Sequence, residues 1–342
     1  MVGWSRVIDM KKSEIQKLIT PYLLRNTESY VVVFVDGIVI ADLIPEQTLP
    51  QTLGSVSLSQ QTCLTIKQGV FVPRPIHLLF VTTQNHANDA AKHYQNKIIV
   101  GAGSEVGVIE EHVVLNDAVQ CHNITTHIHA KNKAKVVYSK IFNVTRAKQE
   151  AHLQLSLDAE SNITTNHLIF GEVELQEKIT VQLAHERALC VNNGLYDLAG
   201  NSKLFLDIAI WHIANDCESK VFFKGIATDV AQANFSGQIT VREGALRTKA
   251  RLDNKNLLLQ DTARIVSSPA LEIYADDVQC SHGATVGQLD AQALWYLQSR
   301  GIDADMAKQM LTQAFVHEII YALPKFLQEK TAHNMHFYPV AR

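Results

Sequence analysis

Charge of a single sign is missing from this sequence. Its 342 residues carry 31 basic and 34 acidic side chains, a net charge of −3, which removes the broad electrostatic footprint of a nucleic-acid binder. Cysteine is scarce and scattered. Cys63, Cys121, Cys190, Cys217 and Cys280 are odd in number and include no CxxC pair. They suggest neither a disulfide framework nor a structural zinc site, and a reducing compartment fits them best. Long apolar runs are also lacking. The most apolar stretch, Tyr30 to Ile44, is cut by Asp36, Gly37 and Asp42 and falls short of a membrane span. Met1 to Arg6 lead into Lys11, Lys12 and Glu14 without an apolar h-region, so no signal peptide is expected. The N-x-[ST] sequons at Asn123, Asn143, Asn162 and Asn234 therefore read as turn residues rather than glycan sites. A cytoplasmic location is the expectation.

Several catalytic signatures are absent as well. No GxxxxGK[ST], HExxH or GxSxG segment occurs, which excludes a P-loop ATPase and leaves no metalloprotease helix or nucleophile elbow. Gly101-Ala102-Gly103-Ser104-Glu105-Val106-Gly107 looks faintly like a dinucleotide loop, but Val108-Ile109 continues as strand and supplies no helix for a phosphate. No nucleotide site is expected. His127-Ile128-His129, with His122 nearby, has metal-ligand spacing, yet among fifteen histidines surface imidazoles are the simpler reading. Glu110-Glu111 and Asp276-Asp277 read as solvated carboxylates rather than acid/base pairs.

Hydrophobic residues reach 46% and charged residues only 19%, enough to bury a core and too apolar for disorder. At this length the chain should form two or three regions or one elongated repeat body. Residues 11–25 read as a short helix with Ile15, Leu18 and Ile19 on one face, complicated by Pro21. Val31–Val35 and Ile38–Ala41 flank Asp36-Gly37, a two-residue hairpin signal. Beyond Pro45, Pro50, Pro73 and Pro75 the character changes: neither glycine nor proline occurs between Gly107 and Gly171. Apolar residues then alternate at Leu153, Leu155 and Leu157, at Ile179, Val181 and Leu183, and at Leu204, Leu206, Ile208 and Ile210. Period two means strands. The expected bends are at asparagines: Asn116-Asp117, Asn132, Asn143, Asn162 and Asn192-Asn193. No helical pattern interrupts residues 98–285, so a βαβ fold is disfavoured. Sandwich, barrel and solenoid all remain open. A solenoid with roughly 20 residues per coil would have on the order of ten coils.

Near the end the period returns to that of a helix. Asp290 can cap a helix over 291–300 that stops at Gly301, and Asp303 a longer one that stops before Pro324. In the second, Ala307, Met310, Leu311, Ala314 and Ile319 fall at helical spacing. Between the strands and these helices lies Leu271-Glu272-Ile273-Tyr274-Ala275-Asp276-Asp277-Val278-Gln279-Cys280-Ser281-His282-Gly283-Ala284-Thr285-Val286-Gly287-Gln288-Leu289-Asp290. On an extended segment Cys280 and His282 point to one side, and thiolate with imidazole suits iron or iron–sulfur ligation. For an arbitrary Cys-x-His, a packed cysteine beside a turn histidine is the alternative. Gly283 and Gly287 would let the chain leave the sheet before the Asp290 cap.

This segment resembles the SufD family of iron–sulfur cluster assembly proteins, subunits of the SufBCD complex. The likeness extends through Asn254-Lys255-Asn256-Leu257-Leu258-Leu259 and Asp261-Thr262-Ala263-Arg264 upstream, and Ala293-Leu294-Trp295-Tyr296-Leu297-Gln298-Ser299-Arg300-Gly301-Ile302 downstream. Weaker similarity reaches back to about Ile98, through Lys224-Gly225-Ile226 and Leu195-Tyr196. The family's N-terminal Trp-Lys-Tyr-like motif is not found, and the chain looks short at that end. The resemblance implies a right-handed parallel β-helix core over 71–285, a small N-terminal α/β region over 1–70 and a C-terminal helical region over 286–342. It implies a non-catalytic scaffold subunit that pairs with a SufB-like subunit and docks a SufC-like ABC ATPase, where ATP is hydrolysed. A homodimer is the expected alternative for the isolated chain. A transient iron–sulfur cluster would form at the SufB-like interface, with none stably bound by this chain alone. His282 is the residue implicated there, with Cys280 second. The ATPase would rest on Leu294, Leu297, Met310, Leu311, Ala314 and Phe315. The competing reading is a β-helix enzyme, a polysaccharide lyase or an acyltransferase with His282 as base.

Overall fold

The computed structural model describes residues 12–20, 29–35, 38–39, 56–58, 62–82, 92–114, 121–142 and 148–335. The chain opens with α1 (Lys12–Ile19), β1 (Tyr30–Val35), β2 (Ile38–Val39), β3 (Val56–Leu58), β4 (Thr62–Ile66) and β5 (Ile76–Thr82). Next come β6 (Lys92–Val100), β7 (Glu105–Val114), β8 (Cys121–Ala130), β9 (Lys135–Phe142), β10 (Lys148–Leu157), β11 (Asn162–Gly171) and β12 (Glu174–Leu183). The strands end with β13 (Leu189–Leu198), β14 (Lys203–His212), β15 (Glu218–Ala227), β16 (Gln232–Val241), β17 (Thr248–Leu258), β18 (Arg264–Ile273) and β19 (Val278–Gly287). Three helices close the chain: α2 (Ala291–Ser299), α3 (Ala304–Ala322) and α4 (Lys325–Asn334). Among the described residues, no helix is long and apolar enough to cross a membrane.

Strands alternate between two sheets. One runs β19-β17-β15-β13-β11-β9-β7-β5-β1-β2 and the other β18-β16-β14-β12-β10-β8-β6-β4-β3. Neighbours are parallel and in register, except for the antiparallel β1–β2 and β3–β4 pairs. This is a parallel β-solenoid of about seven turns, not ten. Among β6 to β19, register partners lie from 26 residues apart (Lys148 and Glu174) to 32 apart (Gln232 and Arg264), because a coil holds two strands of about ten residues and two turns; at the front Thr62 and Asn96 are 34 apart and Tyr30 and Ile76 are 46 apart. Period two works as expected. In β10, β12 and β14 the alternating leucine, isoleucine and valine are buried and the positions between them face out, Phe205 among them. The two inner faces pack into one core from Tyr30 to Ile265. Where two coils approach closely, Phe223 lies over Gly194 and Tyr196 over Gly225, and a Cβ on either glycine would sit inside the ring.

The bends are not where asparagine placed them. Asn192 and Asn193 lie inside β13, Asn162 begins β11, and Asn123 and Asn234 are strand residues. Asn132 does sit in a turn, while Asn116, Asp117 and Asn143 lie outside the described residues. The turns from even-numbered to odd-numbered strands instead stack Gly69, Gly103, Lys133, Glu160, Arg187, Asp216 and Arg247, all at positive φ. Each donates its N–H to a turn carbonyl of the next coil. A left-handed non-glycine residue costs roughly 1–2 kcal/mol, and this hydrogen-bonded column offsets it.

At the front, α1 buries Ile15 and Ile19 but leaves Leu18 exposed, and it ends at Ile19, short of Pro21. The hairpin pairs Phe34 with Val39 and Val35 with Ile38, its Asp36-Gly37 turn lying outside the described residues. β1 also runs parallel to β5, so this segment belongs to the solenoid's own sheet. At the back, Asp290 and Asp303 cap α2 and α3 as expected, and Gly301 follows α2 at φ 85°. Pro324 does not end the helical layer, because α4 starts directly after it. The buried stripe of α3 is Ala307, Thr312, Val316, Ile319 and Ile320, rotated from the expected one. Of these, Val316, Ile319 and Ile320 pack with Leu323, Leu327 and Met335 on Ile109, Ile141, Leu168, Phe170, Leu195 and Ile226, the outer face of the ten-stranded sheet.

Glu110 and Glu111 are fully buried, contrary to the solvated reading, whereas Asp276 and Asp277 are exposed as expected. Adjacent strand residues point to opposite faces. Glu110 faces the lumen, 3.2 Å from Lys140 Nζ, and accepts hydrogen bonds from Tyr138, Thr126, Asn96 and His112. Glu111 faces the helices, 2.5 Å from Lys330 Nζ on α4 and 3.0 Å from His77 Nε2. Burial alone would raise both carboxyls. At Glu110 the charges of Lys140 and His112 and the hydrogen bonds from His112 and Thr126 together outweigh it, and at Glu111 Lys330 and His77 do so together, so both stay below the ordinary 4.5. Their stabilisation is therefore fully present above pH 4.5 and is lost as the pH falls through the depressed values. Lys330→Met would leave Glu111 buried beside His77 alone; breaking such a pair costs about 3–5 kcal/mol. We predict faster hydrogen exchange across 325–334 and a lower thermal midpoint, and unchanged protection would show that this pair does not hold α4.

Candidate functional site

The last coil of the solenoid is unfinished. β18 pairs only with β16 and β19 only with β17, so each offers one ten-residue edge with no strand beside it among the described residues. β19 continues the inner lines of β17: Cys280 pairs with Ala250, His282 with Leu252 and Ala284 with Asn254. Ala250, Leu252 and Asn254 are buried because a coil covers them. Cys280 is only partly buried against the core and His282 is exposed, because no coil follows. The strand stays extended through His282, so thiol and imidazole do share a face. Gly283 does not end it. The chain leaves the sheet after Gly287, three residues before the Asp290 cap.

Behind this end lies a set of amides and hydroxyls. Tyr196 Oη donates to Asn256 Oδ1, while Asn256 Nδ2 and Ser267 Oγ donate to Asn254 Oδ1 at 2.6 and 2.7 Å. Asn256 Nδ2 also reaches the Thr285 carbonyl at 3.2 Å, tying β17 to β19. In the sequence Asn254 and Asn256 show no role of their own; their only signal is two asparagines at alternate positions of one strand. Among the described residues no side chain bonds His282, so the imidazole lacks the orienting partner that a general base commonly uses.

The other candidates disperse. His127 and His129 face outward, bonded to Ser156 (3.2 Å) and Asp158 (2.9 Å), while His122 is buried on the opposite face of β8. Among the described residues no three His, Cys, Asp or Glu side chains are arranged to hold a metal ion. Gly101 to Ser104 make a solenoid corner rather than a phosphate loop. On the helices, α2 buries no residue, and Trp295 and Tyr321 are 70% and 71% exposed. Of the six residues expected to meet an ATPase, Met310 and Ala314 are exposed, and Leu294, Leu297 and Leu311 are half-buried. Phe315 instead turns to the solenoid. Its carbonyl accepts from Lys224 Nζ at 2.6 Å, and its ring lies 5.1 Å from that ammonium. Trp295, Tyr296, Met306 and Tyr321 are large exposed residues here that the expected set omits.

Comparison with known proteins bears on this site. Residues 80–315 match the family model described as SUF system FeS cluster assembly, SufBD core domain. The chain belongs to the SufD family of iron–sulfur cluster assembly proteins. It is 33% identical over 273 residues to the iron–sulfur cluster assembly protein SufD of Escherichia coli, covering 78% of this chain and 64% of that one. Similarity to Protein ABCI7, chloroplastic, of Arabidopsis thaliana is 28% over 276 residues, covering 76% and 56%. SufD of Bacillus subtilis is 25% identical over 280 residues, covering 76% and 60%. The matched segments thus span less than two thirds of these relatives' own lengths.

In this SufD-family chain the Cys280 thiol is not poised as a thiolate. Burial pushes it above its ordinary 9.0, only partly countered by a hydrogen bond from the backbone of Ala250. A partner that changed this environment would have to favour deprotonation before sulfur could ligate iron. In peptide-resolved alkylation of the isolated chain, the reaction rate of Cys280 should reach half its maximum only above pH 9.0. A midpoint below that would mean that the thiol is activated without any partner.

Proposed function

We propose that this chain is a non-catalytic scaffold subunit that covers its open last coil with a SufB-like subunit. A SufC-like ABC ATPase docks on the exposed side of α2 and α3, and a transient iron–sulfur cluster is built as cargo beside His282. The observation that carries this reading is the uncapped coil itself. Two long bare strand edges invite pairing and are normally blunted or covered. The same coil leaves Ile273, Tyr274 and Val286 exposed, apolar surface that a stacked partner would bury. Neutral imidazole is a common metal ligand and can ligate iron. One histidine and one cysteine supply two of the four protein ligands a cluster normally takes, so the partner provides the others. ATP hydrolysis belongs to the SufC-like chain.

Co-expression with SufB-like and SufC-like subunits from the same organism, followed by gel filtration, tests the reading. Co-elution of all three is expected; a chain that elutes alone under these conditions refutes it. His282→Ala should leave folding and complex yield intact but lower the iron–sulfur enzyme activity matured in cells. Cys280→Ala should have the smaller effect, as a partly buried packing residue. Normal maturation in the His282→Ala strain would reduce His282 to a structural residue.

The exposed helical surface has its own test. Met310→Glu with Leu294→Glu should abolish co-purification of the ATPase while leaving the far-ultraviolet circular dichroism spectrum unchanged. Retained binding would place the ATPase elsewhere.

A further inference from the structure

The corner between even and odd strands carries a pattern that the fold does not require. After Gly69 and Gly103, the stacked left-handed positions are Lys133, Glu160, Arg187, Asp216 and Arg247, with φ of 56–60°. Their charges alternate coil by coil. Lys133 Nζ lies 3.7 Å from Glu160 and Arg187 Nη2 3.1 Å from the same carboxylate. Arg247 grips Asp216 with both Nε (2.6 Å) and Nη2 (2.8 Å). The β17–β19 register, extended by one residue from Thr248 and Val278, places Asp277 next to Arg247 in the charge sequence, although Asp277 is not itself left-handed and its own carbonyl, rather than that of the residue before it, accepts the Arg247 N–H at 2.6 Å.

Exposed, solvent-screened pairs of this kind stabilise little. What the alternation controls is register, because a coil placed out of step would set like charges against each other. Inside the column each carboxylate has a cation on either side: Glu160 lies between Lys133 and Arg187, and Asp216 between Arg187 and Arg247. Asp277, with Asp276 beside it, is the last member and has its column cation, Arg247, on one side only. It sits on the rim of the uncapped coil.

We propose that the chain stacking on this coil places a lysine or arginine against Asp277, and that the Asp276–Asp277 corner sets the register and specificity of that docking. The inference rests on the SufB-like pairing reading and adds to it the charge that the partner must carry. The partner's cation continues the alternation by one step, whichever direction its strands run.

The test is the affinity of the full chain for the SufB-like subunit of the same organism, measured by titration calorimetry at about 50 and about 300 mM salt. Asp276→Lys with Asp277→Lys reverses the corner. Glu150→Lys with Glu174→Lys makes the same net-charge change at exposed positions on the outer face of the nine-stranded sheet, away from the rim. Like charges set against each other should weaken binding by about tenfold or more at low salt, less at high salt, in the corner variant, with the control within about twofold of wild type. Thermal midpoints confirm that both variants are folded. Equal effects of the two reversals, or none at the corner, overturn the proposal while leaving the pairing intact. No binding by the wild-type chain overturns the pairing reading itself, and this inference with it.

Discussion

Parallel, in-register stacking governs this molecule. A strand's N–H and C=O groups are satisfied only by the coils on either side of it, and its inward side chains are buried only by the same neighbours. From β6 to β17 the inner lines of leucine, isoleucine and valine are buried, and the outward lines are largely polar except where the helices cover the ten-stranded sheet. At β18 and β19 the stacking stops. Cys280 and His282 occupy the register of Ala250 and Leu252, which are core residues one coil earlier. The candidate site is therefore not a cleft carved into the fold but the place where the repeat ends.

The same alternation explains how two adjacent glutamates serve two different interfaces. Glu110 is neutralised inside the lumen by Lys140, and Glu111 on the outer face by Lys330 from α4. A second cation, Lys224, reaches across the same face to the Phe315 carbonyl and the Glu318 carboxylate. Apolar packing thus holds the helical layer on the solenoid, while buried or half-buried charges fix where along the sheet it sits. The inner face of α3 is committed to this contact, and its outer face, with most of α2, stays exposed. One helical layer can therefore belong to its own core and still present aromatic surface.

Local signals were readable where a short segment decides the outcome by itself. Alternation in β10, β12 and β14, the Asp290 and Asp303 caps, Gly301 after α2 and the Asp36-Gly37 hairpin all depend on residues within one turn or one strand. The corners were not readable. Lysine, glutamate and arginine have no strong intrinsic preference for the left-handed conformation and aspartate visits it only occasionally, and here a hydrogen bond to the next coil, 26–30 residues away, holds them in it. Asn192 and Asn193 failed as turn markers for the converse reason: inside β13 their amides find partners in neighbouring coils. The SufD-like wording of residues 271–290 pointed to His282 and Cys280, but not to Asn254, Asn256 and Ser267 behind them.

The amino-acid sequence alone determined the strand-rich body, its two-residue periodicity, the capped helices at its end and the family to which the Cys280–Asp290 segment points. Those properties are written in spacings of two to seven residues and survive without knowledge of neighbours. Only the tertiary structure decided that Glu110 and Glu111 are buried, that Phe315 faces inward, that charge alternates up one corner, and that His282 stands on an uncovered rim. Each depends on which residues are stacked one coil apart or folded back across the sheet. Such distant pairings follow from the summed packing of the whole solenoid, and no local segment carries them.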